Sequence, residues 1–213
     1  MKRLFLPIML IAALCACAAA PQSIAPQPSA APSAAPMPDS ALTLEQKVGQ
    51  LFIVRPDALD LTLAQETIND AKADGVTELT DAMRDALRTY PMGGICQFGK
   101  NISDPEQIKR FNDDLQAASQ TPLFITVDEE GGRVSRLANN PAFDLPQYKN
   151  GAINDARAMG QDIGGYLKQY GFNMDFAPVA DVNTNPDNPV IGDRAFSSDA
   201  ETAAQMVAEA AQG

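Results

Sequence analysis

A chain of 213 residues, 45% of them hydrophobic and 20% charged, has the material for one globular domain with a core, but it is shorter than the roughly 250 residues typical of an eight-stranded α/β barrel. The formal net charge of −11 is the wrong sign for a phosphate backbone, which needs a basic footprint, so no nucleic-acid partner is expected. With no histidine and no cysteine cluster, neither a metal site nor a cofactor is expected.

At the N-terminus, Lys2 and Arg3 precede an apolar run over residues 4–14 that is too short to cross a bilayer as a permanent helix. It leads into Leu14-Cys15-Ala16-Cys17, which resembles a bacterial lipobox: an aliphatic residue three positions before Cys17 and a small one directly before it. On that resemblance residues 1–17 are a lipoprotein signal peptide and the Cys17 thiol carries the lipid. Ala18, in place of an aspartate, then sends the exported protein to the outer membrane, facing the periplasm. The alternative is an ordinary cleaved signal with incidental cysteines. Residues 18–41 are rich in Ala, Pro, Ser and Gln and nearly uncharged. Such a stretch buries too little apolar surface to offset its ordering entropy and reads as a disordered tether. Beyond it only Cys96 remains, so no internal disulfide is expected and Cys96 reads as a small buried strand residue.

The folded domain is expected over residues 42–213. Thr43 followed by Gln46 is a capping-box pattern that opens a short helix. Residues 50–54 read as a buried strand. Helical spacing of Leu79, Met83, Ala86, Leu87 and Tyr90 follows, and residues 93–98 read as a second strand. Asp104-Pro105 supplies an N-cap and a first-turn proline for a helix with Ile108, Phe111 and Leu115 on one face. Residues 123–128 form a third strand. A helix with Ala156, Met159, Ile163 and Leu167 on one side comes next, with Gly171 where a C-cap belongs. Residues 172–179 form a fourth strand and 200–211 begin another helix. Four β-α units in a row predict an α/β fold with a parallel sheet, either a small doubly wound sheet or the first half of a (β/α)8 barrel.

Period-two alternation divides the fourth strand into an apolar set, Phe172, Met174 and Phe176, and a polar set, Asn173 and Asp175. In a barrel the apolar set is expected against the helices and the polar set near the axis. The same alternation puts Asp128 on the face opposite Leu123, Ile125 and Val127, at the strand end where barrel enzymes build their sites. Residues 128–136 pack three carboxylates, two glycines and two guanidiniums into nine positions. After the fourth strand come Asp181, Asn183, Asn185, Asn188, Asp193 and Arg194. Such side chains suit a ligand rich in hydroxyls, since carboxylates accept from them and guanidiniums donate in a fixed fork. A solvated turn with local salt bridges has the same composition. Gly131-Gly132 lacks the spacing of a phosphate loop.

Three segments carry a family resemblance. Val127-Asp128-Glu129-Glu130-Gly131-Gly132-Arg133-Val134 is one. Asn173-Met174-Asp175-Phe176-Ala177-Pro178-Val179-Ala180-Asp181-Val182 is the second, and the stretch from Asn188 to Asp199, with Gly192-Asp193-Arg194, is the third. Together with the opening Leu44-Glu45-Gln46-Lys47-Val48-Gly49-Gln50-Leu51 they resemble glycoside hydrolase family 3, nearest its bacterial β-N-acetylhexosaminidases. The resemblance implies the first four β-α units of a TIM-barrel catalytic domain. It implies a retaining, exo-acting glycosidase that releases terminal N-acetylglucosamine from cell-wall or chitin fragments. It also implies that Asp128, Arg136 and Arg194 bind the sugar, with Arg133, Asp175 and Asp181 in support. Anchoring of the loops by internal ion pairs is the competing role for Arg133 and Asp181.

Retaining hydrolysis needs a nucleophilic carboxylate and a proton donor facing each other across the scissile bond. In the family these follow the four units present here, and one branch uses a histidine as the acid/base. None of the carboxylates before Gly213 is therefore expected to be catalytic, and the 213 residues are expected to be an incomplete, inactive piece. The competing functions are a family 3 β-glucosidase or xylosidase, and a non-catalytic glycan-binding lipoprotein.

Overall fold

The computed structural model describes residues 42–149 and 153–213. Residues 1–41, with the expected signal peptide, the lipidated Cys17 and the tether, lie outside the described residues. Helix α1 (Leu44–Gly49) leads to β1 (Ile53–Val54), the short helices α2 (Pro56–Leu59) and α3 (Gln65–Asn69), and helix α4 (Asp81–Thr89). Then come β2 (Gly94–Cys96), α5 (Pro105–Ala118), β3 (Phe124–Val127), α6 (Ala156–Gln169), β4 (Met174–Asp175) and α7 (Ala200–Gln212).

Side-chain caps start the helices where the sequence puts them. Thr43 Oγ1 accepts from Gln46 N and Gln46 Oε1 from Thr43 N, closing the reciprocal box of α1. Thr80, Asp104, Asp155 and Asp199 each accept from the amide three residues on, and so cap α4, α5, α6 and α7. Pro105 occupies the first turn of α5, where its missing N–H is no loss. Gly171, with φ of +84°, ends α6 in the left-handed region that a glycine adopts without strain.

The four strands lie in the order β1-β2-β3-β4, every neighbouring pair parallel. This order decides between the two architectures. A doubly wound sheet reverses its strand order at a switch point, whereas consecutive right-handed crossovers without reversal keep all helices on one face, as in a barrel. The register pairs Val54 with Ile95, Ile95 with Ile125, and Val127 with Asp175. These residues share the face toward the helices, where Ile95, Ile125 and Val127 join Met83, Leu87, Ile108, Phe111, Leu115, Met159, Ile163 and Leu167 in one core. Ile53, Gly94, Cys96, Phe124, Thr126 and Met174 share the opposite face.

Two expectations are corrected. Residues 50–54 are not a buried strand: β1 is two residues long at the sheet edge, and Leu51 and Phe52 are exposed. The fourth strand is also shorter than 172–179, and its two residues have inverted faces, although Phe172 ahead of it joins the core as expected. Met174 lies with Thr126 on the inner face, and Asp175 lies with Val127 on the helix side. Alternation alone gives the period of a strand but not the sign. The register with β3 sets the sign, and Val127 is committed to the helix-side core.

A buried polar knot ties the segment after β1 to that after β2. Asp57, 1% exposed, accepts from Asn101 Nδ2 at 3.0 Å and meets Lys100 Nζ at 3.2 Å. A charge so enclosed needs both partners. Among the described residues no helix is long and apolar enough to cross a membrane.

Candidate functional site

Beyond Val127 the alternation of β3 continues and gives consecutive carboxylates different surroundings. Asp128 turns toward the inner face. Glu129, fully buried, turns toward α6, where Tyr166 donates its hydroxyl to Oε1 at 2.8 Å. The same carboxylate accepts from the backbone amides of Arg136, Leu137 and Ala138. Four donors on one buried carboxylate are a structural anchor: they fold residues 130–138 back over the end of the sheet. Burial, and next the Glu129 charge, push the Tyr166 hydroxyl far above its ordinary range, so it stays a donor. Gly131 and Gly132 make the reversal with φ of +82° and +59°, and Glu130 N donates to Val134 O across it.

The returning loop delivers Arg136 to Asp128, with Nη2 and Oδ2 2.9 Å apart. The guanidinium lies over the Phe98 ring, 5.7 Å from its centroid, and Phe98 follows β2 on the same inner side. Arg136 Nε is buried without a hydrogen-bond partner. Cys96, on the inner face of β2, is the buried strand residue expected, and burial pushes its thiol up from the ordinary value. The charged pair, the ring and a partly exposed Asp128 stand at the C-terminal end of the sheet, where barrel sites form.

Glu130 has a third role. It is 5% exposed and takes a two-pronged bond from Arg194, Nε to Oε2 and Nη2 to Oε1, both at 2.7 Å. That bond raises the guanidinium pKa further, and the charges of Glu130, Asp181 and Asp128 act in the same direction. Arg133 donates to the carbonyls of Pro189, Val190 and Ile191 and meets Asp193 at 3.2 Å. Arg133 and Arg194 therefore rivet the loop after β3 to the loop after β4. Of the expected sugar-binding residues, Asp128 and Arg136 meet directly and Arg194 stands one carboxylate away. Arg133 has the anchoring role, and Asp181 is exposed nearby.

Asp175 is not an inward-pointing residue of this site. On the helix side of β4 its Oδ1 accepts from Glu129 N at 3.0 Å. Burial, against the pull of that bond, pushes its carboxyl up to about 7, and the charges of Glu129, Asp128 and Glu130 add to the rise. Sequence reasoning did not separate Glu129 and Glu130 from Asp128, and it missed Phe98 and Tyr166. One signal for Tyr166 was available: it lies three residues after Ile163, on the buried stripe of α6. Among the described residues no group of three or more His, Cys, Asp or Glu side chains is arranged to hold a metal.

Comparison with known proteins gives a family and a fold. A family model described as the glycosyl hydrolase family 3 N terminal domain matches residues 43–213. Beta-hexosaminidase A of Pseudoalteromonas piscicida is 34% identical over 173 residues, which are 73% of this chain and 28% of that protein. A solved glycoside hydrolase family 3 beta-N-acetylglucosaminidase from Paenibacillus superposes with a TM-score of 0.65 at 35% identity, covering 80% of this chain and 30% of that one. NagZ from Neisseria gonorrhoeae, solved in complex with N-trifluoroacetyl-D-glucosamine, gives 0.59 at 28% identity, over 64% of this chain and 43% of its own. The chain thus spans less than half the length of each of these relatives.

Proposed function

The chain belongs to glycosyl hydrolase family 3, and from that premise we propose that residues 43–213 carry the saccharide-binding part of an exo-acting, retaining β-N-acetylhexosaminidase. The observation that carries this reading is the Asp128–Arg136 pair beside Phe98 at the C-terminal end of a barrel-type sheet. A carboxylate has about four acceptor positions, so one bond from Arg136 leaves Asp128 capacity for the neighbouring hydroxyls of a terminal sugar. The hexosaminidase relatives and the glucosamine derivative in the NagZ structure point to N-acetylglucosamine as that sugar.

The surroundings of the neighbouring carboxylates support a binding role over bond cleavage. Glu129 is enclosed by four donors, Glu130 is locked to Arg194, and Asp175 faces the helices. Each of the three is engaged by partners of its own, which does not suit the opposed nucleophile and proton donor that hydrolysis needs. With no histidine in the 213 residues, we infer that residues 1–213 bind the sugar without hydrolysing it and that the whole enzyme supplies the reacting groups elsewhere. The test compares this 213-residue chain with the full-length protein on 4-nitrophenyl N-acetyl-β-glucosaminide and on the corresponding glucoside. Turnover of the first substrate by the full-length protein alone is expected. Turnover by the 213-residue chain contradicts the binding role, and a preference for the glucoside contradicts the choice of sugar.

We further propose that Cys17 is lipidated and that residues 18–41 tether the domain to the outer membrane, facing the periplasm, on the strength of the Leu14-Cys15-Ala16-Cys17 pattern. Radiolabelled palmitate incorporated by the wild type and lost in Cys17→Ser is the expected result. Equal labelling, or none in either, opposes it.

A further inference from the structure

Asp128 must leave the end of β3 at a fixed angle if its carboxylate is to meet both Arg136 and a sugar. Two bonds from β4 and the residue after it reach the backbone at this point. Phe176 N donates to Val127 O at 2.9 Å, on the near side of Asp128. On the far side, Glu129 N donates to Asp175 Oδ1 at 3.0 Å. Glu129 N belongs to the peptide that joins Asp128 to Glu129, so the Asp175 bond fixes the plane of that peptide. It thereby sets the ψ angle of Asp128. Asp175 is well placed for this, because β3 and β4 pair Val127 with Asp175 and put the carboxylate beside the strand end. It borders a cavity shared with Glu129, Ile163, Leu167, Pro178 and Ala210, and no basic side chain lines that cavity.

We infer that Asp175 is a positioning residue for the saccharide site: it accepts from the Asp128–Glu129 peptide and so aims the Asp128 carboxylate from the opposite face of the sheet. The inference rests on the sugar-binding reading of Asp128. Glu129 does the matching task from within the loop, because its carboxylate accepts from the amide of Arg136 and so orients the other half of the pair. Each half of the ion pair is thus held through its backbone by a carboxylate that lies on the helix side. Asp175 meets neither the sugar nor the Arg136 guanidinium.

The experiment measures the affinity of the full-length protein for N-acetylglucosamine by calorimetry, with the melting temperature of each variant alongside. Asp175→Asn keeps an acceptor oxygen at the same reach, and its affinity is expected within about threefold of wild type. Asp175→Ala removes the acceptor, and about tenfold weaker binding is expected from the loss of one buried hydrogen bond of roughly 1.4 kcal/mol. If the alanine variant does not fold, Asp175→Val, which fills the space without accepting, replaces it. Rescue by asparagine but not by alanine or valine supports the inference. Equal affinity in the folded wild type, alanine and valine proteins overturns it while leaving the sugar reading intact. Absence of saturable binding by the wild type overturns both.

Discussion

The two faces of the one sheet differ more than their sequences do. On the helix side Ile95, Ile125 and Val127 are at most 1% exposed, whereas on the inner side Ile53, Phe124 and Met174 are 38%, 55% and 37% exposed. Apolar residues occupy both, so hydrophobicity does not decide which face is the core. Connectivity does: helices that all cross over on one side bury that side. The polar residues follow the same division. The helix side takes Glu129 and Asp175, which hold backbone amides, and the inner side takes Asp128 and Arg136, which present charge at the sheet end.

The largest expected effect tests that division. Glu129→Ala strands three amides and the Tyr166 hydroxyl, and a loss of about 3–5 kcal/mol in a denaturant titration is expected for breaking a buried charged network. Asp128→Ala, one residue away and partly exposed, is expected to change stability by less than about 1 kcal/mol. Next, Ile125→Ala opens a cavity in the helix-side core and is expected to destabilise by about 2–4 kcal/mol in the same measurement.

Asp175 gives a pH signature. Its folded carboxyl titrates at about 7, against roughly 4 in an unfolded chain. Between those values the folded state binds the extra proton, so stability falls as pH rises from about 4 through about 7 and is level above that. Unfolding free energies from urea titrations at pH 5 and pH 8 are expected to differ by on the order of 2 kcal/mol more in the wild type than in Asp175→Asn. The smallest effect belongs to the inner face. Phe124→Ser, already half in solvent, is expected to cost less than about 1 kcal/mol, and a loss as large as that of Ile125→Ala would erase the contrast between the faces.

Much of the fold could be read from local chemistry. The Thr43–Gln46 box, the Asp104-Pro105 start of α5 and the Ala156, Met159, Ile163 and Leu167 stripe each specify their helix within a few residues, and each is present. Asp128 was also accessible, because it continues the alternation of a strand whose core set is unmistakable. What failed was long-range. The inverted faces of β4 depend on the register with β3, and Met174 and Phe176 gave a misleading apolar set. Glu130 looks like its neighbours until Arg194 arrives from 64 residues away. Glu129 differs from Asp128 only because the loop returns the amides of Leu137 and Ala138 to it.

Sugar recognition by the Asp128–Arg136 pair is tested most directly by titrating N-acetylglucosamine into the full-length wild type and its Asp128→Ala variant by calorimetry. Saturable binding by the wild type is predicted, with an affinity loss of about a hundredfold in the variant, as expected for a charged acceptor worth roughly 2–3 kcal/mol, and an unchanged melting temperature. Undiminished binding by a folded Asp128→Ala protein would contradict it.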